Sequence, residues 1–73
     1  MTTTIALETG GSVWKVLVGE GDEVAEGQEL FIMEVMKMEV PYEAPTAGRV
    51  AKLNISEGES VGEGHVAMIL EPV

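Results

Sequence analysis

The sequence predicts an all-β protein, and three observations indicate this fold class. The apolar segments are short and rich in β-branched residues, and none has the length or the period of an amphipathic helix. Clusters of glycine separate most of these segments, which is typical of a β-sandwich or a β-barrel. In addition, the second half of the chain repeats the first, so we expect two similar β-units that share one core.

Five segments have the composition of strands, and each is short enough to be a single strand. Glycine-containing turns or a tight turn without glycine separate one segment from the next. The predicted strands are residues 13–18, 30–35, 38–42, 49–55 and 66–70.

The internal repeat has a period of 37 residues. Residues 11–34 align with residues 48–71 without a gap, and 10 of the 24 aligned pairs are identical, including Gly11 with Gly48. This similarity predicts that an approximate two-fold axis relates the two halves of one domain.

Simple alternation assigns the faces of the first strand. Trp14, Val16 and Val18 fall on one side of an ideal strand, and Lys15 falls on the other. The repeat places a small residue, Ala51, at the position equivalent to Trp14. We therefore expect Trp14 to lie in the core, with its size balanced by Ala51.

The small size of the chain argues against catalysis. It has 73 residues, no cysteine and a single histidine, His65. A domain this small buries only about 60% of the surface of its unfolded chain, which leaves little material for a deep cleft. We find no nucleophile–base pair, no phosphate-binding loop and no cluster of metal ligands. The sequence predicts one domain over residues 1–73 with no catalytic residues and no metal site.

The charge of the chain also restricts its partners. Thirteen acidic residues oppose four basic ones and give a net charge of −9. Such a protein repels nucleic acids and anionic lipids. The N-terminal residues lack the pattern of a signal peptide, and no apolar run approaches the ~20 residues that span a membrane. We expect a cytoplasmic protein that is monomeric as an isolated domain and binds neither nucleic acid nor membranes.

Lys37 differs from the other lysines of the chain. Lys15 and Lys52 are equivalent in the repeat, whereas Lys37 has no equivalent and lies at the seam between the two halves. Residues 34–40 contain no glycine, so Met36-Lys37 must form the turn between two apolar segments. Folding does not need methionine on both sides of an exposed turn. Lys37 is therefore the candidate functional residue.

Several motifs resemble those of biotinyl domains, which belong to the biotin/lipoyl attachment family. Met36-Lys37-Met38 is similar to the attachment motif Ala-Met-Lys-Met. Residues 21–30 match the pattern Gly-Asp-x-Val-x-x-Gly-Gln-x-Leu at every fixed position, and residues 44–50 resemble Ala-Pro-x-x-Gly-x-Val. Residues 58–64 repeat the Gly-acid-x-Val-x-x-Gly pattern, so the resemblance covers nearly the whole chain.

The resemblance implies a specific architecture. It predicts a flattened β-barrel, or sandwich, of two four-stranded antiparallel sheets with an internal pseudo-two-fold repeat. Lys37 would lie on a hairpin at one end of this barrel, and both termini would lie at the other end.

The resemblance also implies a carrier function. A biotin protein ligase would attach biotin to Lys37, because a lysine ammonium is a poor nucleophile and needs an activated acyl group. The tethered biotin would shuttle a carboxyl group between biotin carboxylase and carboxyltransferase active sites, as in acetyl-CoA carboxylase and related enzymes. The expected recognition residues for the ligase are Glu34, Val35, Met36, Met38 and Glu39.

The chain departs from the family pattern in three ways. Val35 stands where alanine is usual, and residues 7–11 replace a proline-rich opening segment. The chain also lacks an inserted loop and a preceding linker rich in alanine and proline. The lack of this loop and linker favours a free-standing biotin/lipoyl attachment protein or an isolated domain.

Two alternatives stay open. Lipoyl domains share the fold and carry acyl groups in 2-oxo acid dehydrogenase complexes, but they usually flank the lysine with an acid and a small residue. Met36 and Met38 make lipoate the less favoured cofactor. The second alternative is an unmodified structural or docking module, in which Lys37 is an ordinary turn residue.

Overall fold

Eight strands form the fold in the computed structural model, which describes residues 2–73 and contains no helix in that range. Five of the eight strands correspond to the five predicted segments. The strands are β1 (Thr3–Ala6), β2 (Gly11–Val16), β3 (Glu23–Val24), β4 (Glu29–Val35), β5 (Met38–Glu43), β6 (Gly48–Leu53), β7 (Ser60–Val61) and β8 (Val66–Glu71).

The strands form two four-stranded antiparallel sheets, which confirms the predicted fold class. One sheet has the order β1-β8-β6-β3 and the other has the order β5-β4-β2-β7. The two sheets share no strand, so the molecule is an open sandwich rather than a closed barrel. Short loops, rather than a continuous ladder of hydrogen bonds, connect one sheet to the other.

The predicted two-fold symmetry is present in both sheets. Replacing each strand by its repeat equivalent converts the order of the first sheet into that of the second. The hydrogen bonds repeat as well: the Glu57 carboxylate accepts a bond from the Val16 N–H at 3.0 Å, and Glu20 accepts from Leu53 at 3.0 Å. Each half therefore supplies a carboxylate that satisfies a backbone group of the other half.

The predicted core position of Trp14 is wrong. Val13 is almost fully buried at 1% exposure, whereas Trp14 is 45% exposed. The register of β2 against β4 shifts between Val13 and Lys15, which marks a β-bulge at Trp14. An extra residue in a bulge interrupts the alternation of faces, so the prediction from alternation fails. The same shift occurs in β6, where Ala51 is exposed.

The core lies between the two sheets and draws on both halves of the chain. It contains no buried polar or charged side chain among the described residues. Lys15 and Lys52 are exposed, as predicted. The largest fully buried side chains are Phe31, Leu30, Met33, Met68, Leu70, Val13 and Val50.

Two loops of equal length fix the ends of the sandwich. Residues 7–10 connect β1 to Gly11, which lies against Glu34 close to the turn between β4 and β5. Residues 44–47 connect β5 to Gly48, which lies against Glu71 at the end of β8. The start of β1 pairs with the end of β8 and therefore lies at the same end of the molecule as Gly48. The turn at Met36-Lys37 lies close to Gly11, at the opposite end of the 35 Å long axis.

Candidate functional site: the β4–β5 hairpin

The candidate site is the two-residue turn that joins β4 to β5. Val35 and Met38 form the last pair of the ladder, so Met36 and Lys37 are the two central residues of the turn. Both have positive φ, at 52° for Met36 and 67° for Lys37. Positive φ at both positions defines a type I′ turn, which matches the twist of a hairpin. The predicted position of the turn is therefore confirmed.

The side chains of this turn project into solvent. Met36 is 91% exposed and Met38 is 67% exposed, which makes them, together with Val73, the most exposed large apolar residues of the part of the chain that the structure describes. Lys37 is also exposed. The ion pairs of residues 2–73 involve Arg49, with Glu23 at 3.4 Å and Glu71 at 3.9 Å, so they leave the Lys37 ammonium unpaired.

The predicted recognition residues are brought together, but they do not face the same way. Glu34 and Glu39 are a directly opposed pair of exposed carboxylates one step below the Val35–Met38 pair. Val35 is half-buried and packs against the core. Four of the five residues are therefore accessible to a partner, and the fifth, Val35, anchors the hairpin.

A close contact with β2 holds the hairpin in place. A Cβ atom at Gly11 would lie 2.5 Å from the Glu34 carbonyl oxygen and 3.0 Å from the Val35 side chain. Only glycine allows β2 to approach β4 this closely. A role of Gly11 at the site was not predicted, although its position at the start of the repeat was a signal for one.

Aromatic packing supports the other end of the hairpin. The Phe31 and Tyr42 rings stack with a centroid distance of 4.7 Å and an angle of 12°. The Tyr42 hydroxyl oxygen accepts a hydrogen bond from the Glu8 N–H at 3.1 Å, which links β5 to the loop after β1. These contacts immobilise both strands, so Lys37 projects from a rigid base.

The remaining polar residues have local structural roles. Asp22 accepts a hydrogen bond from the Gly19 N–H at 2.8 Å, and Glu59 accepts from Ser56 at 3.0 Å. His65 is half-buried, with Nε2 at 3.1 Å from the Asn54 carbonyl oxygen, rather than freely solvated as its turn position suggests. Within residues 2–73, no three histidine, cysteine or acidic side chains are grouped as metal ligands.

A shallow cavity lies far from the hairpin. Its volume is about 340 Å³, and its walls include the first residue of β1 and the last residues of β8. This end of the sandwich is opposite to Lys37, so the cavity and the turn are separate features.

The described chain contains no helix with the length and the apolar composition that are needed to span a membrane.

Comparison with known proteins shows the family. Residues 2–70 match the biotin/lipoyl family, which is described as "Biotin-requiring enzyme". A "Biotin/lipoyl attachment protein" of Bacillus subtilis is 46% identical over 41 residues, which are 56% of each chain. A "Biotinylated protein TB7.3 homolog" of Mycolicibacterium smegmatis is 44% identical over 41 residues, which are 56% of this chain and 58% of that protein. The matched region thus spans less than two thirds of these relatives.

Two of the solved structures that contain the same fold are large carboxylases. A single-chain, multi-domain long-chain acyl-CoA carboxylase matches 99% of this chain with a TM-score of 0.91 and 26% identity. The urea carboxylase of Kluyveromyces lactis matches 97% of this chain with a TM-score of 0.88 and 28% identity. This chain covers 7% of the first enzyme and 6% of the second.

Proposed function

Because the chain belongs to the biotin/lipoyl attachment family, we propose that it is a biotin carboxyl carrier and that Lys37 is its attachment residue. The observation that carries the proposal is the position of Lys37 at the apex of a rigid type I′ turn between two exposed methionines. The chain itself supplies no catalytic group, and its 73 residues act as one domain.

The geometry of the turn suits enzymatic acylation. The Lys37 side chain extends into solvent from a fixed backbone, so a ligase can enclose it without competing contacts. Lys37 loses a proton, its Nζ attacks the activated carbonyl of the biotin donor, and the activating group leaves. The product amide has no charge, so one positive charge is lost and the net charge changes from −9 to −10.

Biotin fits this site better than lipoate. Met36 and Met38 stand where lipoyl domains usually have an acid and a small residue. A relative is called a biotinylated protein, and the two structural neighbours are carboxylases. Bound biotin supplies a ring that accepts and releases a carboxyl group, and this domain supplies the tether that raises its local concentration at two active sites.

The proposed partners follow from this role. They are a biotin protein ligase and the biotin carboxylase and carboxyltransferase components of a biotin-dependent carboxylase. Since the exposed Glu34 and Glu39 carboxylates flank the turn, we expect basic residues on the surfaces that receive it. We propose a monomeric carrier in the cytoplasm, a compartment that supplies the ATP that biotin ligation consumes.

Lys37 should be the single site of biotin attachment. After incubation with biotin, ATP and a biotin protein ligase, the intact mass should increase by one biotinyl group in the wild type. Lys37→Arg should show no increase, whereas Lys15→Arg and Lys52→Arg should behave as wild type because both residues lie on strands away from the turn.

Two outcomes of this experiment would overturn the proposal. One is an unmodified wild-type protein whose circular dichroism shows a folded β-domain; the other is a biotinyl group that persists in Lys37→Arg. A parallel reaction with a lipoyl ligase and lipoate tests the alternative cofactor. Modification by that ligase alone would assign the chain to the lipoyl carriers.

A further inference from the structure

The four methionines within residues 2–73 divide into two exposed and two buried residues. Met36 and Met38, which flank Lys37, are 91% and 67% exposed. Met33 and Met68 have 0% exposure and lie in the core. The same chain thus contains two accessible thioethers at the functional turn and two protected ones that serve as internal controls.

Exposed thioethers react with peroxides. The sulfur attacks one oxygen of hydrogen peroxide, the O–O bond breaks, and a methionine sulfoxide and water form. The sulfur loses two electrons and the peroxide gains them, so the step needs no other reactant. Methionine sulfoxide reductases reverse the reaction, which makes such a residue a reversible modification site.

We infer that Met36 and Met38 form a reversible oxidation site that controls whether a ligase accepts Lys37. The inference rests on the proposed function, because it assumes that Lys37 is acylated. Oxidation converts a flexible apolar side chain into a polar one, and these two side chains are the apolar surface next to the lysine.

Among the charged side chains next to these methionines, Lys37 alone can donate a hydrogen bond to a sulfoxide oxygen, and that bond would engage the amine that must react. The nearest charged neighbours in the ladder are Glu34 and Glu39, which accept hydrogen bonds and cannot donate one to a sulfoxide oxygen. The new oxygens are therefore hydrated or bonded to the Lys37 ammonium itself. A ligase that encloses the turn must remove this water without regaining its hydrogen bonds, which disfavours binding.

The backbone also prevents the methionines from moving away. Met36 is held at φ 52° within the turn, and Met38 pairs with Val35, which packs on the core. Rotation about the side-chain bonds cannot remove either sulfur from the neighbourhood of Lys37. Both oxidised groups thus stay within the surface that the ligase must cover.

The test begins with unmodified protein treated with graded hydrogen peroxide. Peptide mass spectrometry should show sulfoxide at Met36 and Met38 first. Met33 and Met68 should oxidise at least about tenfold more slowly, because their reaction requires opening of the core. The treated protein is then incubated with biotin, ATP and a biotin protein ligase.

We expect oxidised protein to take up biotin at least about fivefold more slowly than untreated protein. Treatment with methionine sulfoxide reductases should restore the initial rate. The double variant Met36→Leu/Met38→Leu serves as the matched control. Treated and untreated samples of this variant should take up biotin at equal rates, whatever that rate is. A difference between them would reveal an effect of oxidation elsewhere, such as at Trp14.

The outcomes separate the two proposals. Equal rates for oxidised and untreated wild type, or a rate loss that persists in the leucine variant, would overturn the oxidation site and leave the carrier function standing. No uptake by untreated, folded wild type would overturn the carrier function and the inference with it.

Discussion

Met36 and Lys37 occupy a backbone conformation that most residues avoid. A type I′ turn favours asparagine followed by glycine, because these residues tolerate positive φ. Methionine and lysine cost more there, on the order of 1 kcal/mol each. The chain retains both residues although neither favours the turn, which is expected where a functional requirement opposes stability.

A substitution at Met36 should separate stability from function. Asparagine tolerates the left-handed conformation, so Met36→Asn should raise the free energy of unfolding by up to about 1 kcal/mol. Under the proposed function, the same change removes an apolar side chain that the ligase would contact, so biotin uptake should become slower. Urea unfolding and a ligation time course measure the two effects. A variant that is less stable than wild type would contradict the account of strain at the turn.

The residues of the site were predictable to different degrees. The repeat singled out Lys37, because it is the lysine without an equivalent, and the absence of glycine located the turn. The direction of the Trp14 side chain was not predictable from the sequence. A bulge depends on hydrogen bonds between strands, and it interrupts the alternation of side chains between the two faces. The inward direction of Val35 likewise depends on the close approach of Gly11.

At the scale of the elements, two glycines allow a close approach of neighbouring strands, one within each sheet. Gly11 lets β2 approach β4, and its repeat equivalent Gly48 lets β6 approach β8, where an added Cβ would lie 2.7 Å from the Glu71 carbonyl oxygen. In both cases the added Cβ would clash with a backbone oxygen, which cannot move without distorting a central strand. The two contacts are alike in geometry, but only the first lies next to the hairpin that carries Lys37.

This pair provides matched variants. Gly11→Ala and Gly48→Ala should each lower the free energy of unfolding by about 2 kcal/mol, because each adds a methyl group to a filled space. Gly11→Ala should also slow biotin uptake of the folded protein, whereas Gly48→Ala should not. Gly62→Ala should stay within about 0.5 kcal/mol of wild type, since nothing lies within 4 Å of its added Cβ.

Chemical denaturation and ligation of each variant decide this point. If Gly48→Ala slowed ligation as much as Gly11→Ala under conditions where both are folded, the contact with β4 would not position the hairpin.

The strands themselves were largely predictable, since five of the eight correspond to predicted segments. The short strands β1, β3 and β7 were not located because four residues or fewer give no periodic pattern.

At the scale of the whole molecule, the net charge of −9 is a source of repulsion. Part of it is concentrated in β4 and β5, where Glu29 faces Glu43 and Glu34 faces Glu39. Like charges directly opposite each other in a sheet are destabilising. These carboxylates are exposed, so dissolved salt screens their repulsion.

The thermal midpoint should therefore rise with ionic strength. We expect an increase of about 4 °C or more between about 10 mM and about 0.5 M sodium chloride. Glu29→Lys should raise the midpoint at low salt and reduce its dependence on salt, because it replaces a repulsive pair by an ion pair with Glu43.

The control for this prediction is Glu26→Lys, which changes the net charge equally at an exposed residue outside the strands. It should raise the midpoint less than Glu29→Lys does. Equal effects would show that only the total charge matters, and not the pairing across β4 and β5. Scanning calorimetry at the two salt concentrations supplies the comparison.

Each sheet takes two strands from the first half of the chain and two from the second. On the ribosome, the segment that contains Lys37 emerges well before β8, yet β8 is a central strand and contributes buried Met68 and Leu70 to the core. A nascent chain that lacks β8 has the lysine but not the packed support beneath it. Translation must therefore proceed beyond residue 70 before the hairpin has its native base, which would tie the proposed attachment at Lys37 to completion of both halves.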